Sequence, residues 1–228
     1  MNTRHIFFAM TIGASAAAAN ESIPIPTPTP TPIPAELSMN ASIDEVSLKP
    51  DSKALEIVGF WRDAGPALWF AKDPAFDARF RKRFLLDYES AARGELTHWQ
   101  STPEGALALV ILLDQFPRNS FRSTARMYAT DSMARKIAST AFATGFDRMI
   151  AQDLRKFFVL PFAHSEDLAD QDRSVSYARR IGADDLAHAE HHRDIVRRFG
   201  RFPHRNRILG RATTDEEQRY LDNGGYSG

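Results

Sequence analysis

Aromatic side chains recur at every fourth position in one stretch of the chain, at Phe76, Phe80, Phe84 and Tyr88. Residues four apart lie on the same face of an α-helix, so this spacing predicts an amphipathic helix whose aromatic face is buried. Residues 107–113 are apolar at every position and predict a buried central helix. No alternation typical of strands interrupts the pattern beyond position 50. The chain is therefore expected to be all-α.

Capping and stop signals divide residues 51–228 into about eight antiparallel helices, which would form a bundle or superhelix within a single domain. Asp and Ser or Thr precede apolar runs as N-caps, and Gly or Pro follows them. The first predicted helix begins at Asp51 or Ser52. The next six run from Asp73–Pro74 to Gly94, from Thr102–Pro103 to Pro117, from Asp131 to Thr144, from Phe146 to His164 with an interruption near Pro161, from Glu166 to Ile181 and from Ala183 to Phe199. A Thr214–Glu217 capping box opens the last predicted helix.

The first 50 residues differ in composition from the rest. Residues 1–22 resemble a signal peptide, since Arg4 precedes a short apolar stretch that is too short to cross a bilayer of about 30 Å. Residues 23–50 are a Pro/Thr-rich linker in which alternating prolines exclude helix and sheet. A start at Met39 is an equal alternative and would leave the protein cytoplasmic; a genuine leader would make it periplasmic or secreted.

Composition excludes several classes of function. The chain has no cysteine, so disulfides, thiol nucleophiles, cysteine zinc sites and iron–sulfur clusters are absent. The 29 Lys and Arg residues equal the 29 Asp and Glu residues, which argues against nucleic acid as a partner and gives no reason to expect a membrane surface. No stable membrane span is expected in the mature domain.

Polar residues in apolar surroundings mark the candidate site. Asp114 follows the most apolar helix, and a carboxylate there must be protonated or paired, with Arg118 or Arg122 as the partner. His164 is a candidate base or metal ligand after another apolar helix, near Glu166. Both could equally be structural.

Two further stretches carry positive or titratable groups. His188 and His192 lie one helical turn apart and could share a metal or simply form a helix face. Residues 197–211 contain many arginines and no acid, so they must meet carboxylates of the same chain or an anionic ligand.

Several motifs together are typical of a known family. They are residues 112–119 (Leu-Leu-Asp-Gln-Phe-Pro-Arg-Asn), residues 161–166 (Pro-Phe-Ala-His-Ser-Glu), His192 with residues 199–206 (Phe-Gly-Arg-Phe-Pro-His-Arg-Asn), and Trp61, Trp69, Trp99 and Arg122. These motifs resemble those of bacterial domain-of-unknown-function family 924, over about Leu55 to Leu221. This resemblance implies a tetratricopeptide-like, all-helical fold and implies no activity.

Three hypotheses follow for the polar residues. The first is a pocket for a small anionic molecule, with or without acid–base catalysis; the second is a scaffold for a protein partner, in which the cluster is structural. The third is a metal site of His164, Glu166, His192 and His204, although no cofactor is required. For the pocket, the candidate catalytic residues are Asp114, His164, Glu166 and His192, and the candidate ligand-binding residues are Gln115, Arg118, Asn119, Arg122, Gln171, Arg201, His204, Arg205, Asn206 and Arg211.

Overall fold

A computed structural model of the chain describes residues 49–228, and every regular element in that range is helical, which confirms the all-α prediction. The predicted leader, residues 1–22, the Met39 start and the linker up to residue 48 lie outside the described residues. Within residues 49–228, no helix is long and apolar enough to cross a membrane. The α-helices are α1 (Ser52–Ala64), α2 (Pro66–Trp69), α3 (Pro74–Ala92), α4 (Pro103–Val110), α5 (Phe116–Ser120), α6 (Asp131–Thr144), α7 (Lys156–Ala163), α8 (Leu168–Ala178), α9 (Ala183–Phe199) and α10 (Asp215–Asp222).

The helix ends follow the capping signals of the sequence. The Asp73 carboxylate accepts hydrogen bonds from the backbone of Ala75 and Phe76, at 2.9 and 2.8 Å, and so starts α3. Gly145 adopts a left-handed conformation with φ of 77° and ends α6. Thr214 and Glu217 form the predicted capping box of α10. Local sequence therefore determines these boundaries.

The main core surrounds α4, which packs against α1, α6 and α7. All of its residues from Gly105 to Val110 are buried, as their uniform apolarity predicts. The aromatic face of α3 also enters this core, where Phe80 lies 5.3 Å from Trp61 and 5.0 Å from Phe116 between ring centroids. A smaller cluster, formed by Ile195, Val196 and Phe202, joins α9 to the C-terminal segment.

The helix that begins at Pro103 does not stop at Pro117, and this part of the prediction was wrong. A π-helical turn at Ile111–Gln115 links α4 directly to α5, and the backbone N–H of Phe116 donates to the carbonyl of Ile111, five residues earlier. The wider turn accommodates the proline ring, which an α-helix would press against a carbonyl. Proline also leaves the Leu113 carbonyl without a donor, and the Thr130 hydroxyl donates to it at 2.6 Å.

The prediction of a helix from Phe146 to His164 with an interruption near Pro161 was also wrong, both in where the helix begins and in the break at the proline. The segment forms two short 3₁₀ turns, Phe146–Arg148 and Gln152–Leu154, before α7 begins. The guanidinium of Arg155 donates to the carbonyls of Ile150 and Arg148 and satisfies backbone groups that a helix would have paired. Helix α7 then runs through Pro161 within an almost entirely buried segment, so tertiary packing offsets the missing hydrogen bond.

Candidate functional site

A cavity of about 320 Å³ lies where the π-helical turn and α5 face the end of α7, α9 and the loop after α9. Its volume is at the small end of the range for small-molecule pockets. One part of the wall is apolar, and the other carries arginine and histidine side chains. The lining residues are Trp69, Phe70, Gln115, Arg118, Asn119, Arg122, Met127, Tyr128, Leu160, His164, His188, His204, Arg205, Tyr226 and Gly228.

Asp114 and His164 form a hydrogen-bonded pair at the cavity. Asp114 is completely buried in the π-helical turn, and its Oδ1 lies 2.8 Å from Nδ1 of His164. Because an ionised carboxylate only accepts, the pairing requires a proton on Nδ1 and leaves Nε2 with a free lone pair. The side-chain amide of Gln115 donates to the other carboxylate oxygen at 2.6 Å. The pair thus leaves Nε2 of His164 as the nitrogen that can accept a proton.

Protonation states at the pair follow from burial and from Arg118. Burial raises the pKa of Asp114, but the Arg118 charge and the hydrogen bonds from His164 and Gln115 outweigh it, so the pKa lies below its usual range. Burial and the Arg118 charge lower the pKa of His164, and Asp114 opposes them only in part. At neutral pH the site therefore holds a carboxylate beside an uncharged imidazole.

Arg118 is bound to two carboxylates of the chain itself. Its guanidinium donates to both oxygens of Asp131, at 2.8 and 3.0 Å, and lies 3.2 Å from Oδ1 of Asp114. It also donates to the backbone carbonyl of Asp114 at 2.7 Å. Of the two partners considered for Asp114, the structure thus selects Arg118. Its charge is already neutralised before any ligand binds.

Arg122 and Asn119, on another part of the cavity wall, converge on Asp77 of α3. Arg122 donates to the Asp77 carboxylate at 2.6 and 3.1 Å, and the Asn119 amide donates to it at 2.8 Å. Arg122 also donates to the carbonyl of Ala71 at 3.0 Å. These bonds connect α5 and the segment after it to α3. Arg122 and Asn119 therefore face the cavity and are also fixed in position by hydrogen bonds within the chain.

Arg205 differs from the other arginines of the cavity. It is only 6% exposed, and within residues 49–228 no carboxylate pairs with its guanidinium. Its Cζ lies 4.5 Å from the ring centroid of Tyr128 and 4.5 Å from that of Phe202, and its buried Nε has no hydrogen-bond partner. Burial and the nearby Arg118 charge lower its pKa, and the charges of Asp131 and Glu166 oppose this shift only in part. The cavity therefore contains a buried guanidinium with which no carboxylate of the described residues pairs directly.

His204, next to Arg205, also faces the cavity. Burial and the Arg205 charge lower the pKa of His204 to about 4, so its ring is uncharged at neutral pH. Its Nδ1 is buried without a hydrogen-bond partner, and its ring lies 5.1 Å from that of Tyr226. Such an unsatisfied nitrogen is a candidate contact for a ligand.

Seven predicted site residues lie outside the cavity lining: Asp114, which is buried behind His164, and six others. Arg201 donates to both oxygens of Glu217, and Arg211 donates to both oxygens of Glu166. Glu166 also accepts from the backbone of Phe202 at 2.8 Å, which fixes the loop after α9. The remaining three are internal: Gln171 donates to the carbonyls of Ala163 and Ser165, His192 is buried in α9, and Asn206 is buried behind the loop.

The four residues of the predicted metal set do not converge. No group of three or more His, Asp or Glu side chains within the described part of the chain has the arrangement that a metal ion requires. His192 instead packs its ring 4.6 Å from Tyr226 and 5.4 Å from Phe202. Its Nδ1 donates to the carbonyl of His188, one turn earlier in α9.

Sequence reasoning missed several residues of the site. Asp131 was considered only as a helix start, although it pairs with Arg118. Tyr128 and Tyr226 line the cavity and contact Arg205 or His204, but Tyr128 ends a short 3₁₀ turn and Tyr226 follows the last helix, and neither has a periodic signal. The exposed Phe70 was not singled out because it follows a helix of only four residues.

Comparison with known proteins places the chain in a defined group. A family model for a bacterial protein of unknown function (DUF924) matches residues 57–225. A solved structure, described as a protein of unknown function from Agrobacterium tumefaciens, is 55% identical; the match covers 75% of this chain and 98% of that one, with a TM-score of 0.74. No curated protein matches the chain. Apart from Tyr226 and Gly228, every cavity-lining residue lies within the range matched by the family model.

Proposed function

The chain belongs to the bacterial DUF924 family, and we propose that it binds a small anionic molecule in the cavity and acts on it by acid–base catalysis. The observation that carries the proposal is the pairing of two features in one cavity. His164 presents an oriented, uncharged imidazole, and Arg205 presents a cation without a carboxylate partner.

Arg205 supplies the reason for an anion. A buried guanidinium without a directly paired carboxylate is poorly satisfied, and a bound carboxylate or phosphate would pair with it. Because the guanidinium is already desolvated and packed against Tyr128 and Phe202, little of its mobility is lost on binding. The other two arginines of the wall already have acidic partners.

His164 supplies the reason for acid–base chemistry. The Asp114 carboxylate accepts a hydrogen bond from Nδ1 and holds the ring, so Nε2 is the nitrogen that would take a proton from the bound molecule or from water. The same carboxylate would stabilise the imidazolium formed in that step. The lowered pKa of His164 keeps the base form populated at neutral pH. The π-helical turn, a feature frequent at functional sites, places Asp114 beneath the ring.

Binding is tested first by thermal shift of the full chain with a panel of small carboxylates, phosphates and sulfonates. A ligand that binds only the folded state raises the melting temperature. We expect stabilisation by at least one anion, and we expect Arg205→Met to abolish it. Arg207→Met is the matched control, because it removes the same charge from an exposed residue two positions further along the same loop. No shift with any anion, or a shift that survives Arg205→Met, would contradict the proposal.

Catalysis is tested by incubating each stabilising anion with the protein and following its consumption by proton NMR. We expect turnover by the natural sequence and at least a hundredfold slower turnover by His164→Gln, since general bases contribute about 10²–10⁴-fold. The thermal shift of His164→Gln should be retained, which separates loss of chemistry from loss of binding. Equal turnover by both proteins would exclude His164 as the base.

A further inference from the structure

The charges around the cavity limit what kind of anion it can hold. Arg118 is neutralised by Asp131 and Asp114, and Arg122 is neutralised by Asp77. His164 and His204 are uncharged at neutral pH. Within the described residues, one unpaired positive charge therefore faces the cavity, that of Arg205. A second negative charge on the ligand would find no free cation and would approach the Asp114 and Asp131 carboxylates.

The surroundings of Arg205 favour one shape of anion. Aromatic rings lie over its guanidinium at 4.5 Å, so the hydrogen atoms in the guanidinium plane are the ones left for a partner. Two parallel hydrogen bonds in that plane match a carboxylate, which is itself flat. A tetrahedral phosphate would need donors from several directions, and the neighbouring donors of Arg118 are already occupied by Asp131.

One part of the wall is apolar. Trp69, Phe70, Met127 and Leu160 line the cavity and offer no charged group. Phe70 is 60% exposed although it is a large aromatic residue, and it stacks only loosely on Phe157, with 6.2 Å between ring centroids. A ligand body that covers this ring would remove apolar surface from water.

We propose that the molecule held at this site is a small monocarboxylate with an apolar body, its carboxylate paired with Arg205 and its body lying against Phe70, Leu160 and Met127. This inference rests on the proposed function, since it names the chemical class of the same ligand. The cavity volume of about 320 Å³ limits the body to a short alkyl chain or a single ring.

The test is isothermal titration of the full chain at pH 8 with hexanoate, acetate, hexyl phosphate and hexan-1-ol. Hexanoate carries one charge, hexyl phosphate is mostly dianionic at this pH, and hexan-1-ol is neutral. We expect hexanoate to bind at least tenfold more tightly than the other three probes. The gain over acetate follows because each buried methylene contributes about fourfold. Arg205→Met should remove hexanoate binding, and Arg207→Met should not.

A second variant tests where the apolar body of the ligand lies. Phe70→Ser should weaken hexanoate at least fivefold and leave acetate unchanged. Leu86→Ser is the matched control, since Leu86 is 81% exposed and does not line the cavity. Equal loss for hexanoate and acetate, or no loss at all, would overturn the placement of the body.

The outcomes separate this inference from the function on which it rests. If hexyl phosphate binds as tightly as hexanoate and loses its affinity in Arg205→Met, the inference of a monocarboxylate is wrong, but the proposal of an anion site at Arg205 is retained. If hexan-1-ol binds as tightly as hexanoate, and Arg205→Met changes neither, both proposals fail. If neither hexanoate nor acetate binds, the monocarboxylate inference fails, and the thermal-shift panel decides separately on the anion site.

Discussion

Arg201 and Arg205 lie four residues apart in one arginine-rich loop, yet the structure gives them opposite surroundings. Arg201 reaches outward to Glu217, whose carboxylate receives two of its hydrogen bonds at 2.6 and 2.8 Å. Those bonds help to lower the pKa of Glu217 to about 2. Arg205 is buried beside the cavity and has no acidic partner within residues 49–228. The same residue type therefore forms a direct ion pair in one place and has no directly paired carboxylate in the other.

The difference shows what distinguishes a structural charge from a functional one. A buried charge that is matched within the chain is satisfied without a ligand, and removing its partner destabilises the fold because one charge is left uncompensated. A buried charge without a match raises the free energy of the folded state, so it persists only if something else requires it. Stability and ligand affinity should therefore respond in opposite ways to mutation in the two regions.

The largest effect is expected at Arg118, which lines the cavity, as Arg205 does, but is paired with carboxylates of the chain, as Arg201 is. Arg118→Leu would leave the carboxylates of Asp114 and Asp131 facing each other in a buried setting. We expect a loss of about 3–5 kcal/mol in the free energy of unfolding, measured by urea denaturation. Arg122→Leu is the control and should lose less, because its side chain is 33% exposed. A loss at Arg118 below that at Arg122 would contradict the pairing.

An intermediate effect should separate Arg201 from Arg205 directly. Arg201→Met strands the Glu217 carboxylate, whose side chain is 3% exposed, and should lower the free energy of unfolding by about 1–3 kcal/mol. Arg205→Met removes an unmatched buried charge and should change it by less than about 1 kcal/mol, or increase it. Urea denaturation of both variants measures the contrast. If Arg205→Met is the more destabilising of the two, Arg205 has a structural partner after all.

The effect that is smallest at neutral pH concerns two histidines, His204 in the cavity wall and His192 buried in α9. Burial lowers the pKa of His192 to about 2 and that of His204 to about 4, against 6.5 for an unperturbed histidine. Between pH 6.5 and about 4 the unfolded chain binds protons at these residues and the folded chain does not. The free energy of unfolding should therefore fall as the pH is lowered through this range.

His192→Phe isolates this dependence. The ring packs against Phe202 and Tyr226, so phenylalanine keeps the shape of the side chain and removes the titration. We expect the slope of the free energy of unfolding against pH to decrease by about one proton, or roughly 1.4 kcal/mol per pH unit. Denaturation at a series of pH values from 7 to 4 gives the slope. An unchanged slope would mean that His192 titrates normally in the folded chain.

Local signals were sufficient where a boundary depends on one side chain and the backbone beside it. Asp73 at the start of α3 and Gly145 at the end of α6 were predicted because capping and a left-handed turn involve neighbours in sequence. Pro117 misled the prediction for the converse reason. Whether a proline ends a helix depended on Thr130, which is remote in sequence and satisfies the freed carbonyl.

The sequence by itself determined that this chain is helical, which faces of its helices are buried and which polar residues stand in apolar surroundings. Spacing and hydrophobicity suffice for these properties, because each is a property of one helix. Only the tertiary structure decided that Asp114 and His164, 50 residues apart, share a hydrogen bond. It also decided that Arg201 is matched while Arg205 is not. Charge neutralisation depends on which distant acids the packing brings within a few ångströms, and sequence order does not contain that distance.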